Sequence, residues 1–232
     1  MGPSVRLSAC ARQRLEQARS AARQGLEAGE ERRRPNYKQP PNLAQRPVLW
    51  YLLLMTDPQP EISFAALTAK TQSPLLRGIL GHWDSARSQH RFPLWSHLTQ
   101  DNLAPYADKI WAFDVNRSSG ETTARFGGKT ARFGFGQSFL GTPLRNLHAP
   151  HVFQVSQAIF TRVVSQPACC RWSGKLFKAD DEIIEGERIM LPVGSNQEYA
   201  DGLLGASDFD CVLPRTPRNL EIIHDIADWC GL

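Results

Sequence analysis

Two glycine-containing segments are the first candidates for chemistry, because glycine-rich loops can surround phosphate groups with backbone N–H donors. Residues 128–130 (GKT) end like a phosphate-binding loop, but the full pattern requires a glycine five residues before Gly128, where this sequence has Thr123. Gly134 and Gly136 begin a dinucleotide fingerprint whose third glycine would fall on Phe139. Neither segment therefore predicts nucleotide binding, and we interpret the glycines as a strand exit and tight turns.

Histidine, cysteine and acidic residues are the next candidates, for metal binding or nucleophilic catalysis. The six histidines and five cysteines show none of the spacings typical of a metal site, and an odd cysteine count without CxxC pairs indicates reduced thiols. No serine or cysteine has a recognisable general base, and the acidic residues 180–185 fit a solvated turn. We therefore predict no catalytic residue, no metal, no cofactor and a cytoplasmic location.

A set of large aromatic residues is the best candidate for binding a small molecule, because ligand sites combine apolar walls with a few polar groups. Arg125 is the polar group that we expect to contact an acidic ligand. The alternatives are that the aromatic residues form only the core and that Arg125 forms a surface ion pair. The aromatic members of this predicted pocket are Trp111, Phe113, Phe133, Phe135, Phe139, Phe153, Phe160 and Trp172.

Two helices and two strands that would position these residues have clear signals. Ser73-Pro74 is a helix start, and apolar residues at 3.6-residue spacing continue the helix to about Ala86. Alternating residues predict a hairpin of strands 109–115 and 121–128. A second long helix begins at Pro150 and ends at Pro167.

Three further strands and a final helix complete the predicted fold. The strands are 169–177, 184–193 and 199–206, and Gly194-Ser195-Asn196 forms a turn between the last two. Thr216-Pro217 starts the final helix, which continues to Cys230 with Leu220 and Ile223 on its apolar face. This order favours an α+β domain with an antiparallel sheet.

Five short motifs occur in an order that resembles a PAS domain of the compact kind common in alphaproteobacteria. The resemblance covers residues 75–207, although the turn before the last strand, GSNQE, departs from the usual pattern. The matching residues are Trp83, Arg87, Arg91, Pro93 and Pro105; Arg125, Gly128 and Thr130; Gly136 and Gly141; Glu187, Arg188, Leu191 and Pro192; and Gly202, Leu203 and Leu204.

The resemblance implies a five-stranded antiparallel sheet cupped by helices, and a non-catalytic sensory role in signal transduction through a small ligand or a protein partner. His151 begins the helix where some haem-binding PAS domains place an iron ligand, but a lone histidine there more often caps or is solvated. A photoactive flavin site would need a cysteine within a helix facing the pocket, which this sequence lacks there.

The chain ends extend beyond this domain, which we place at residues 61–207. Residues 1–46 carry ten basic and four acidic residues, whereas the remainder has 17 basic and 19 acidic residues. We predict that residues 1–60 form a partly helical or disordered basic extension with a proline-rich linker, and that Met55 is an alternative start. Residues 208–232 form a predicted C-terminal tail with the amphipathic helix.

The partners that we expect are a second copy of the chain, an unidentified signalling protein and a small ligand, without a membrane. Nucleic-acid binding through the basic arm is the alternative function. The predicted homodimer interface uses the apolar face of the helix from Ser73, because that face has more apolar surface than a small sheet needs. Its residues are Leu76, Ile79, Leu80 and Trp83, with Leu220 and Ile223 of the final helix as a second candidate surface.

Overall fold

The computed structural model describes residues 61–129, 131, 139–179, 182–209, 220–222 and 227–232. Its helices are α1 (Phe64–Lys70), α2 (Pro74–Arg87), α3 (Gln100–Leu103), α4 (Leu144–Leu147) and α5 (Pro150–Ser165), with 3₁₀ turns at Trp95–His97 and Ala104–Tyr106. Its strands are β1 (Ile110–Val115), β2 (Thr122–Gly127), β3 (Ala168–Ala179), β4 (Glu182–Val193), β5 (Gly202–Phe209), β6 (Leu220–Ile222) and β7 (Ala227–Gly231). The predicted basic extension, its linker and Met55 lie outside these residues.

The strands form one antiparallel sheet in the order β2-β1-β5-β4-β3-β6, and β7 also pairs with β3. The prediction of an α+β fold with an antiparallel sheet is confirmed. The prediction of five strands is wrong, because the sheet also contains β6 and β7, which both pair with the outer edge of β3.

The predicted C-terminal helix is also wrong, since β6 and β7 occupy part of its sequence. β3 is twelve residues long, and without β6 and β7 its outer edge would present unpaired backbone groups. Trp229 and Cys230 of β7 are buried, opposite Cys170 and Cys169 of β3. The C-terminal residues thus pack onto their own sheet.

Helix α2 begins and packs as its sequence predicts, but its apolar face is not free. The Ser73 hydroxyl accepts a hydrogen bond from the backbone N–H of Leu76 at 3.2 Å, and Pro74 occupies the first turn. The Trp83 indole N–H donates to the Pro192 carbonyl of β4 at 3.0 Å. The residues predicted as a dimer interface, Leu76, Ile79, Leu80 and Trp83, are completely buried within the chain. This corrects that interface prediction, because the sheet itself covers the helix face.

A buried ionic network fixes the α1–α2 connection to this face of the sheet. Arg171 of β3 donates to Glu187 of β4 and, at 2.9 Å, to Asp228 of β7. The Glu187 carboxylate also accepts from the backbone N–H groups of Gln72 at 2.9 Å and Ser73 at 2.6 Å. Each charge of this network is therefore paired, and the network joins three strands to the start of α2.

Candidate ligand-binding site

The opposite face of the sheet carries an aromatic cluster beneath α5, which crosses β3, β4 and β5. The Trp111 and Phe160 rings are stacked with centroids 6.0 Å apart, and Phe113 lies 5.1 Å from Phe160 and 5.4 Å from Phe139. Trp111 lies against Gly205 of β5, where a side chain would collide with the indole. The structure thus brings four of the predicted pocket residues together between the sheet and α5.

Arg188 of β4 is the charged residue on this aromatic face. Its backbone is opposite Ser207 of β5 and Trp172 of β3, so the three side chains share the face. The Arg188 Nε–H donates to the Ser207 hydroxyl oxygen at 3.0 Å, and the Trp111 indole N–H donates to the same oxygen at 3.3 Å. The guanidinium carbon lies 4.8 Å from the centroid of the Phe177 ring. The aromatic cluster and Arg188 therefore form one continuous surface.

The Arg188 guanidinium is buried without an opposite charge among the described residues. The side chain is 4% exposed, and no described carboxylate lies within ion-pairing distance of it. Burial lowers the pKa of Arg188 to about 10, so the group remains charged at neutral pH. A guanidinium has five N–H donors, and only the Nε–H of Arg188 has a hydrogen-bond acceptor in the described part of the chain.

His148, which precedes α5, adds no charge to this site at neutral pH. Burial, and then the positive charge of Arg188, lower the pKa of His148 from 6.5 to about 4. Its imidazole is therefore neutral at pH 7. Of these two groups, only Arg188 carries a positive charge at pH 7, and its apolar surroundings screen that charge poorly.

Arg125 does not join the aromatic cluster. It lies on the α2 side of the sheet, where it forms a half-exposed ion pair with Asp114 at 3.0 Å and stacks on Trp95 with its guanidinium carbon 4.6 Å from the ring centroid. Arg125 and Trp95 border a groove of about 520 Å³, which is also lined by Phe126. The surface ion pair that we considered as the alternative for Arg125 is therefore what the structure contains.

The other predicted pocket residues lie at different places. Trp172 shares the face of Arg188 and packs against Trp229 of β7, with centroids 6.1 Å apart. Phe153 is partly buried on α5 and borders a separate recess of about 280 Å³, beside the Arg145–Glu121 ion pair. Phe133 and Phe135 lie outside the described residues.

The motif glycines and the second interface surface can be placed only in part. Gly128 follows β2 and donates its N–H to the Ile110 carbonyl at 2.9 Å, and Gly141 has φ +74°, a conformation that favours glycine. Gly136 and Ile223 lie outside the described residues. Leu220 begins the short strand β6 rather than a helix.

In the sequence, Arg188 belongs to a PAS-like motif, which does not predict its place in the candidate site. A signal was present, because Arg188 alternates with Ile184, Gly186 and Met190 on one face of a predicted strand. An arginine on an otherwise apolar strand face is either paired or functional.

The described residues offer little for metal or thiol chemistry. They contain no group of three or more histidine, cysteine or acidic side chains that could hold a metal ion. Burial raises the pKa values of the Cys169 and Cys170 thiols well above their usual range, which makes them poor nucleophiles at neutral pH. No helix in the described ranges is long and apolar enough to cross a membrane.

Comparisons with known proteins supply no family for this chain. No family profile matches it, and no curated protein or solved structure is significantly similar to it. Function must therefore be argued from the site geometry.

Proposed function

We propose that this chain is a PAS-type sensory domain that binds a small ligand, signals to a protein partner and catalyses no reaction itself. The seven strands form an antiparallel sheet with helices packed on it, and an antiparallel sheet covered by helices is the coarse architecture that supports this proposal. The aromatic cluster and Arg188 lie between the sheet and α5. This arrangement supports a ligand site with apolar walls and a single charged group.

The observation that carries the proposal is the buried guanidinium of Arg188. Placing a charge in an apolar interior costs several kcal/mol even after relaxation, so structural arginines in cores are paired with carboxylates. Arg171 shows that pairing on the opposite face of the same sheet, with two carboxylates. Arg188 has only a hydroxyl acceptor and an aromatic neighbour in the described residues. Residues that lower stability in this way are characteristic of functional sites.

Signalling would follow from a difference in ligand affinity between two conformations of the chain. A ligand shifts a conformational equilibrium only as far as it binds one state more tightly than the other. The network of Arg171, Glu187 and Asp228 fixes α2 to the sheet, whereas α5 covers the candidate site mainly through apolar contacts. We therefore assign the ligand-dependent change to α5. The alternative role in nucleic-acid binding depends on residues 1–46, outside the described residues, and stays a prediction.

Binding and turnover can be separated with a low-molecular-mass extract of the native cell. The purified chain is incubated with fractions of this extract, its melting temperature is measured, and each active fraction is analysed by mass spectrometry before and after incubation. We expect one fraction to raise the melting temperature and its active component to be recovered unchanged. Conversion of that component to a product would show an enzyme, and the absence of any stabilising fraction would contradict ligand sensing.

A further inference from the structure

Building on the proposed sensory function, we propose that Arg188 binds the carboxylate of a small organic acid whose apolar body lies against the aromatic cluster. The sequence analysis assigned the acidic group to Arg125, but that residue is already paired with Asp114 at the surface. Arg188 is the arginine that faces the aromatic cluster, and its charge has no described carboxylate beside it.

The donor geometry of Arg188 favours a planar oxyanion. Ser207 accepts from Nε, which leaves the N–H groups of both terminal nitrogens without an acceptor among the described residues. These terminal N–H groups form a fixed fork that a carboxylate can accept with both oxygens. The hydrogen bond to Ser207 and the stacking on Phe177 hold the guanidinium plane before any ligand arrives.

The charge of the site favours a single carboxylate over a phosphate or a dicarboxylate. His148 is neutral at pH 7, so Arg188 supplies one positive charge. A monocarboxylate would balance that one charge. A dianion would leave a second negative charge in an apolar interior, at a large cost in free energy. The side chains near this guanidinium include the rings of Phe177 and of Trp111, which stacks on Phe160, and such aromatic neighbours suit a hydrocarbon or aromatic body.

The experiment uses three acids with different apolar bodies, namely benzoate, phenylacetate and hexanoate, and the primary amide of each as its uncharged control. Binding to the full chain is measured by isothermal titration calorimetry at pH 7, with inorganic sulfate and succinate as dianion probes. We expect at least one monocarboxylate to bind at least 10-fold more tightly than its amide and than either dianion.

Two arginine variants assign this binding to a residue. Arg188→Gln should weaken the apparent Kd of the acid by about 10- to 100-fold, the loss expected for charge-assisted hydrogen bonds, and leave the amide unaffected. Arg188→Lys keeps the charge but not the fork and should bind with intermediate affinity. Arg125→Gln is the matched control, since it removes an arginine from the opposite face and should bind the acid like the unmodified chain.

The inference is overturned if an acid and its amide bind equally, if Arg188→Gln retains full affinity, or if none of the three acids binds. A folded state of each variant is verified by circular dichroism, and Arg188→Lys serves as the test if Arg188→Gln does not fold. These outcomes are distinct from failure of the sensory proposal, which would appear as turnover or as no stabilising fraction in the extract experiment.

Discussion

Arg171 and Arg188 are neighbouring arginines of the central sheet that lie on opposite faces and have different partners. They are 5% and 4% exposed, so both side chains are almost completely buried. Arg171 is paired with Glu187 and Asp228, whereas Arg188 contacts Ser207 and Phe177. The first arginine contributes to the stability of the fold, and the second has no carboxylate beside it among the described residues, so that a ligand could supply one.

We predict that removing the two charges changes stability in opposite directions. Arg171→Met should lower the free energy of unfolding by about 3–5 kcal/mol, because it leaves the Glu187 carboxylate buried without its partner. Arg188→Met should raise it by about 1–2 kcal/mol in the chain without ligand, because a buried charge is replaced by an apolar side chain. Urea denaturation monitored by circular dichroism measures both. Equal destabilisation by the two substitutions would show that Arg188 is a structural residue.

The neutral state of His148 predicts a pH dependence of stability. Because the folded-state pKa of His148 is about 4, below its usual 6.5, the unfolded chain binds the proton more tightly. The stability contributed by this group is therefore fully present above pH 6.5 and is lost as the pH falls towards 4. In His148→Gln, the free energy of unfolding should decrease less between pH 7 and pH 4.5 than in the unmodified chain. Identical pH profiles would contradict a partly buried, neutral imidazole.

Strand β7 is the element whose role differs most from the sequence prediction. Its Trp229 is buried and packs on Trp172. The guanidinium carbon of Arg162 of α5 lies 3.9 Å from the centroid of the Trp229 ring. It therefore connects the last residues of the chain to β3 and to the helix that covers the candidate site.

We accordingly predict that the C-terminal residues are required for folding. Truncation after Pro214 should remove the cooperative thermal transition, and Trp229→Ala should cost about 3–5 kcal/mol, as for other buried aromatic residues. The control is Phe126→Ala on edge strand β2, where the side chain is 42% exposed and the cost should be below about 1 kcal/mol. A cooperative transition of normal midpoint in the truncated chain would instead restore the interpretation of a dispensable tail.

The elements with local signals could be predicted from the sequence. The Ser73-Pro74 start of α2, the β1–β2 hairpin and the Pro150 start of α5 each depend on residues within one element, and all three are present. The C-terminal segment could not be assigned in this way, because its apolar spacing fits a helix and its bulky residues also fit strands. The C-terminal segment forms strands because it pairs with the outer edge of β3, which lies some fifty residues earlier in the sequence.

The candidate site could be predicted only in part, for the same reason. Trp111, Phe113 and Phe160 are large apolar residues at alternating or helical spacing, and such residues are buried in almost any arrangement. The face occupied by Arg125 depends on the register of β2 against β1, in which Ala124 pairs with Phe113. A slip of one residue would reverse that face, and the turn between the strands does not specify the register from sequence alone.

At the scale of the whole molecule, the sheet separates a fixed side from a candidate sensing side. On one face, α2 is joined to the strands by the Arg171 network and by the bond from Trp83 to Pro192. On the other, α5 covers an aromatic surface where, in the described part of the chain, Arg188 is a buried positive charge. Because the apolar face of α2 is fully used within the chain, the predicted homodimer would have to form through another surface.

Native mass spectrometry of protein isolated from its own cell shows whether a small acid occupies the proposed site at Arg188. We expect the unmodified chain and Arg125→Gln to carry a bound small molecule that is released on denaturation and contains one carboxylate. We expect Arg188→Gln, shown to be folded by circular dichroism, to be isolated without that molecule. Ligand-free masses for all three proteins, or the same molecule bound to Arg188→Gln, would contradict binding at Arg188.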